Sequence, residues 1–280
     1  MSWVITGQEA DPLLLDSYSG AAAAYSLRQL SWAYGGPAVR VRRSNDNAEQ
    51  DFTATQVSDG TLAAWVGVGN NGFVRTWYDQ SQNGRHLGQS TTANQPQIVS
   101  SGSLILKGTR PSIDFDGSND RLINSTISLS QPITHVVVGS RDDASGTADT
   151  YFDSLNSVQH VFYNDGSAGV PAHNWRFNAG KSSPFPGFTY SSGTNLFLAS
   201  IYFSGTSSNA RMNGAQRLAG DTSTNGLLGL SVGDLRGNPT PIDPNYVLDG
   251  KISEYIIFPF NQSGIVAIEA NINAYYSIYP

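Results

Sequence analysis

Carboxylates are the groups in this chain best suited to chemistry, and their distribution is uneven. Of 280 residues only four are glutamate, Glu9, Glu49, Glu254 and Glu269, so the long interval between Glu49 and Glu254 contains none. Aspartates occupy that interval instead. Asp114, Asp116, Asn119 and Asp120 crowd oxygen ligands into seven residues, a set that suits calcium, a hard cation. The EF-hand spacing is absent, because no Gly stands at the sixth position and no Glu closes the loop. An Asp-Gly turn at a strand end accounts for the same residues through local backbone bonding. Asp79, Gln80, Ser81, Asn83 and Gly84 carry a similar pair of readings, a sugar-facing loop or a self-bonded turn. His86, His135, His160 and His173 are dispersed and form no His-x-His or His-Glu-x-x-His pattern, which points to ordinary hydrogen-bonded histidines. The chain has no cysteine, which excludes a thiolate nucleophile, a thiolate metal site and a disulfide scaffold. No phosphate-binding Gly-x-x-x-x-Gly-Lys loop is present. Tyr163, Trp175, Phe185, Phe188 and Tyr190 cluster in a glycine- and proline-rich middle section. Their rings can stack on sugars, and sandwich cores use the same residue types.

The elements that must position these groups are strands. Twenty-nine glycines and thirteen prolines, with 39% hydrophobic and 14% charged residues, indicate many short strands joined by tight turns around one large core. The net charge is −6 and the only basic run, Arg40, Arg42 and Arg43, is interleaved with Val39 and Val41, which argues against nucleic acid. Met1 to Asp16 lacks a signal-peptide pattern, and no apolar stretch reaches the ~18 residues of a membrane span. The expectation is a protein that stays in the cytosol until lysis.

Met1 to Pro12 reads as an N-terminal arm and residues 13–280 as one domain. Ser19 to Ala33 predicts a helix, with Ser19 as N-cap and Tyr25, Leu27, Leu30 and Ala33 on one face. Strands are expected at Ala38–Arg42, Gly72–Tyr78, Ser112–Phe115, Ile133–Val138, Gln159–Tyr163, Trp175–Phe177, Leu196–Phe203, Leu227–Val232 and Lys251–Phe258. A short helix is expected over Thr61–Val68. The stripe Ile265, Ile268, Ile272 and Tyr275 predicts a C-terminal helix that caps the sandwich. Ser140–Asp149 and Ala168–Pro186 read as surface loops placed to display ligand contacts.

Four blocks then appear in one order: Ala24-Tyr-Ser-Leu-Arg-Gln-Leu, Val39-Arg-Val-Arg-Arg-Ser, Thr76-Trp-Tyr-Asp-Gln-Ser-Gln-Asn-Gly-Arg-His-Leu and Ile113-Asp-Phe-Asp-Gly-Ser-Asn-Asp. In these the chain resembles the concanavalin A-like, laminin-G-like jelly-roll domain of bacteriophage and bacterial surface proteins. The first three also resemble the catalytic domain of the α-L-arabinofuranosidase B family. The resemblance implies an all-β jelly-roll sandwich with a short N-terminal helix and a C-terminal helix.

Retaining glycosidases need two carboxyl groups about 5 Å apart. The arabinofuranosidase resemblance implies that Asp234, in Val232-Gly-Asp-Leu-Arg, matches that family's acid/base. The family's nucleophilic Glu has no counterpart here, nor have its paired cysteines; Asp153 and Asp165 are the available replacements. The leading expectation is therefore a non-enzymatic virion protein, a capsid decoration or a fibre or tail component, assembled in the host cytoplasm. Its jelly roll is expected to hold glycan through Tyr163, Trp175, Tyr190 and Asp234. Its partners are other virion proteins contacted through the arm, and copies of itself, by analogy with phage fibres as a homotrimer. No cofactor is required, calcium at Asp114, Asp116, Asn119 and Asp120 being the one candidate. A free lectin and an arabinofuranosidase-like hydrolase using Asp234 are the alternatives.

Overall fold

The computed structural model describes residues 11–142, 148–155, 159–165, 173–181, 186–191, 195–235 and 245–280. Most of the expected arm, residues 1–10, lies outside the described residues. Among the described residues nineteen strands form one antiparallel hydrogen-bonded network, which the register folds into two layers as an all-β jelly-roll sandwich.

The first layer is built on Asp249–Phe258. One edge of this strand pairs with Ile133–Arg141, and the other pairs with Ala23–Ser26 and Ile113–Asp116 placed end to end. Phe197–Phe203, Ser208–Met212 and Ala215–Gly220 extend the layer outward from Ile133–Arg141. In the second layer Leu227–Val232 lies between Leu122–Leu129 and Asp149–Asp153, and Val161–Asn164, His173–Asn178 and Gly187–Tyr190 follow in order. On its other side Leu87–Gly88 leads to Gly72–Trp77, Val39–Arg43 and Glu49–Phe52. Gln97–Ser100 pairs with strands of both layers and joins them.

Two hydrophobic cores follow from strand alternation. Tyr25, Trp77, Phe152, Trp175 and Tyr255 fill the space between the layers. The outer face of the first layer is apolar too, and the C-terminal helix Ile265–Tyr276 covers it, packing Ile268, Ile272 and Tyr276 against Val136, Leu198 and Ile256. The buried stripe runs at a spacing of four residues, so Tyr276 faces inward. Tyr275 instead lies between the guanidinium groups of Arg28 and Arg110, 4.6 Å and 4.0 Å from its ring centre. Burial of Ile268 and Ile272 stabilises the helix by about 1.5–3 kcal/mol each.

The helix expected over Ser19–Ala33 is not formed. Gly20 adopts φ +86°, and Ala23–Ser26 is a strand paired with Asp249–Phe258. Period two decides the matter, because Ala23 and Tyr25 enter the inter-layer core while Ala24 enters the core under the helix. Tertiary burial overrides alanine's helix propensity here. The short helical turn at this end is Leu14–Ser17. The second expected helix is present as Thr61–Val66, preceded by Ala54–Ser58, whose N-cap Thr53 accepts the Gln56 N–H. The stretch read as a loop over Ala168–Pro186 contains the strand His173–Asn178, and of the other expected loop, Ser140–Asp149, the ends belong to the strands Ile133–Arg141 and Asp149–Asp153 while residues 143–147 lie outside the described residues.

Asp79 and Gln80 complete the pairing of the first strand. The Asp79 carboxylate accepts the N–H groups of Ala24, Ser81 and Arg85 at 2.9, 2.9 and 3.0 Å. The Gln80 side chain accepts the Leu30 N–H and donates to the carbonyls of Ser26 and Arg28. Of the two readings of this loop, the self-bonded turn is the one formed, with both side chains 1% exposed. Replacing Asp79→Ala strands three backbone donors, so chemical denaturation should show a loss of about 3 kcal/mol; a loss below about 1 kcal/mol would contradict this role.

Candidate functional site

The outer face of the second layer assembles the acidic residues of interest. Along Leu227–Val232, Leu230 and Val232 point into the core and Ser231 points outward. Register sets Ser231 opposite Asp153 on one neighbouring strand and opposite Ile123 on the other. At Gly233 the chain turns with φ +98°, and a Cβ there would lie 2.5 Å from the Phe115 ring, so glycine alone permits the turn that delivers Asp234. The Ser231 hydroxyl then donates to Asp234 Oδ1, and Arg121 Nη1 donates to Asp234 Oδ2 at 3.1 Å. Asp153 Oδ1 accepts the N–H groups of Ser154 and His160 at 2.8 and 3.0 Å. Asp153 and Ser231 are 0% exposed and Asp234 is 1% exposed.

Asp234 also forms an isolated bridge with Val247, which brings Tyr246 to the rim of this face. There the Tyr246 ring meets Tyr163 edge-on with centroids 6.3 Å apart, and both rings are partly exposed. Burial raises the Tyr163 hydroxyl above its ordinary value, with Arg176 acting in the opposite direction. Arg176, opposite Tyr163 in the ladder, binds Asp165 at 3.0 Å. Asp165 is thus committed to an ion pair, while Asp153 is the aspartate that stands opposite Ser231 in the ladder.

The residues expected to hold glycan do not all converge. Tyr163 and Asp234 share this face. Trp175 is 0% exposed, because its inward position stacks it on Phe162 at 5.3 Å and against Phe197 at 4.7 Å, so its faces are not open to a sugar. Tyr190 lies on the edge strand beyond His173–Asn178, with the Arg217 guanidinium 4.7 Å from its ring centre and its hydroxyl accepting from Asn213. Phe188 packs on the core, and Phe185 lies outside the described residues. Arg121, Ser231 and Tyr246 escaped the sequence reading. Arg121 adjoins the acidic stretch and Ser231 falls three residues before Asp234; for Tyr246 no periodic signal exists.

The calcium candidates are used locally. Asp116 Oδ1 accepts the N–H groups of Ser118 and Asn119, Asp120 Oδ2 accepts that of Asp116, and Asp114 binds Lys251 Nζ at 2.8 Å. Burial, then the Asp116 charge, push Asp120 up to about 7. Among the described residues no group of three or more His, Asp or Glu side chains is arranged to hold a metal ion.

Two histidines meet in the core instead. His135 Nε2 and His160 Nε2 are 3.0 Å apart, His160 Nδ1 is 3.0 Å from the Asn225 carbonyl, and His135 Nδ1 is 2.7 Å from the Tyr255 hydroxyl. The carbonyl can only accept, which fixes the proton order: His160 Nδ1–H donates to Asn225, His135 Nε2–H donates to His160, and the Tyr255 hydroxyl donates to His135. Both imidazoles are neutral in this relay. Burial holds His135 well below its ordinary value and His160 at about 4. Their contribution to stability is therefore complete above the unfolded value of 6.5 and is lost as pH falls toward 4. Thermal unfolding should show a Tm that declines across this window, with a shallower decline in the His135→Phe/His160→Leu double variant. Equal slopes would contradict the assignment.

No protein-family model and no curated protein matches the chain. Among solved structures it is similar to a GH54 α-L-arabinofuranosidase soaked with a cyclic sulfate inhibitor, with TM-score 0.72 and 13% identity. It is also similar to an arabinofuranosidase complexed with arabinofuranosyl-α-1,2-xylobiose, with TM-score 0.68 and 14% identity. In each case the similarity covers 94% of this chain and 64% of the other, so the chain spans less than two thirds of those enzymes. At this identity the likeness establishes the fold.

Proposed function

We propose that the chain is a non-enzymatic structural protein of a bacteriophage particle, in a capsid decoration or the tail, whose jelly roll holds a glycan on the outer face of its second layer. The observation that carries the glycan-binding part is a contrast in exposure. Asp153 and Asp234, which flank Ser231 through the ladder and through its hydroxyl, are 0% and 1% exposed and already engaged by backbone N–H groups, Ser231 and Arg121. Tyr163 and Tyr246, beside them, keep ring surface open. Half-exposed aromatic edges next to a hydrogen-bonded polar patch suit sugar binding. An acid/base must instead present a proton to the leaving oxygen, and Asp234 accepts from a guanidinium. Among the described residues no glutamate lies on the strands that carry Asp153, Ser231 and Tyr163. Glu254 and Glu269 serve Arg28 and Arg211 on the first layer and its helix, and Glu49 faces Arg75.

The virion part of the proposal is supported by the resemblance of the four sequence blocks to phage-type jelly rolls and by the lack of cysteine. On this reading the N-terminal segment contacts other virion proteins, and the chain assembles with copies of itself.

A hydrolytic reading draws on one observation, that Asp153 and Asp234 both neighbour Ser231. In it Asp153 would displace the leaving oxygen at the anomeric carbon, forming a glycosyl ester, and Asp234 would protonate that oxygen; water would then cleave the ester. The two readings separate in one experiment on the purified chain, with arabinosides and bacterial polysaccharides as probes and both reducing-sugar release and binding measured. The expected result is no turnover, with binding weakened about tenfold by Tyr163→Ala. Turnover that Asp234→Asn abolishes would overturn the non-enzymatic reading, and absence of binding to every probe would overturn the glycan-binding one.

A further inference from the structure

A polar cavity lies on the opposite side of the sandwich, where the C-terminal helix begins. Leu198, Ser200 and Tyr202 alternate outward along Phe197–Phe203. The helix covers Leu198, whereas Ser200 and Tyr202 fall beside its first residue, Ile265. Register places Ser200 opposite Arg211, Tyr202 opposite Asn209, and Gln216 opposite Arg211 on the next strand. With Thr134, Gln262 and Ile265 as walls they enclose about 150 Å³.

The walls are committed and the floor is not. Thr134 Oγ1 donates to the Phe260 carbonyl and accepts the Gln262 N–H, while Gln262 Oε1 accepts the Gly264 N–H. Arg211 binds Glu269 through Nε and Nη2, both at 2.9 Å, which neutralises its charge. Ser200 is 2% exposed, and its Oγ has no hydrogen-bond partner among the described residues. A buried hydroxyl left unpaired is a cost that a bound group can relieve. The Asn209 and Gln216 side chains and the Tyr202 ring line the same cavity from half-exposed and exposed positions.

We propose that this cavity binds a single ring of a neutral sugar through Ser200, Asn209 and Gln216. Hydroxyls and amides both donate and accept, which matches a ligand whose every hydroxyl does the same. An anion would meet a guanidinium already neutralised by Glu269. The Tyr202 ring offers an apolar surface to the C–H face of a sugar. The volume is below the ~300–1,000 Å³ of drug-sized sites, which limits the occupant to one ring or the end of a chain. The site stands apart from Asp234 and does not depend on the reading of that face.

Titration of methyl α-arabinofuranoside and the methyl pyranosides of glucose, galactose and mannose into the ¹⁵N-labelled full chain tests the proposal. At least one should produce saturable shifts at the amides of Ser200, Asn209, Gln216 and Ile265. Asn209→Ala, at a half-exposed position that keeps the fold intact, should weaken that binding about tenfold, and Asp234→Asn should leave it unchanged. The proposal is overturned if none of the four sugars shifts these amides. It is also overturned if the shifts persist equally in both Asn209→Ala and Gln216→Ala, or vanish in Asp234→Asn.

Discussion

Burial of Asp249–Phe258 on both faces is the constraint around which the molecule is arranged. Ile252, Tyr255 and Ile257 enter the inter-layer core, and Ile256 and Phe258 enter the core under the C-terminal helix. A strand buried on both sides requires a partner layer and a cover, and the second layer and the helix supply them. Its hydrogen-bonding edges are also filled, by Ile133–Arg141 on one side and by Ala23–Ser26 and Ile113–Asp116 on the other. Buried carboxylates at the helix are paired: Glu269 with Arg211, and Glu254, which binds Arg28 at 2.7 Å and accepts from Ser26 and Tyr276. Burial works against the Arg28 charge and the Glu254 carboxylate more than offsets it, holding Arg28 above its ordinary value. Removing one partner of such a pair leaves an uncompensated buried charge.

The same arrangement explains why side chains that look chemically suggestive prove structural. Asp79 and Gln80 stand beside the first strand and bond its backbone from the side. His135 and His160 lie between the layers, where a neutral relay to Tyr255 and Asn225 satisfies polar atoms that burial would otherwise strand. The two proposed ligand surfaces lie on outer faces the helix does not cover: the Tyr163–Tyr246 rim on one layer, and the Ser200–Asn209–Gln216 floor on the other.

The all-β fold class, most strands and the C-terminal helix were legible because alternation and the four-residue stripe are local patterns. The region around Ala21–Ala24 was not, since alanine favours a helix in isolation and the deciding contact, with Ile256 and Ile257, comes from the far end of the chain. Trp175 was placed on a strand correctly but expected to face a sugar, whereas pairing with Val161–Asn164 turns it inward, a facing that only the register decides. At the candidate site Asp234 and Tyr163 could be named in advance. Their partners Arg121, Ser231 and Tyr246 come from separate strands, and only register assembles them.

The likeness to arabinofuranosidases establishes the fold, and the proposed function rests on what this chain's own acidic face presents. Two aspartates held by Ser231, Arg121 and backbone N–H groups, beside two open tyrosine rings, favour holding a sugar over cleaving it. A crystal structure of the chain grown with an arabinose-decorated xylo-oligosaccharide tests this most directly. The account predicts an intact oligosaccharide against Tyr163 and Tyr246, with Asp153 and Asp234 in their present contacts. A cleaved product, or a sugar bonded covalently to Asp153, would contradict it.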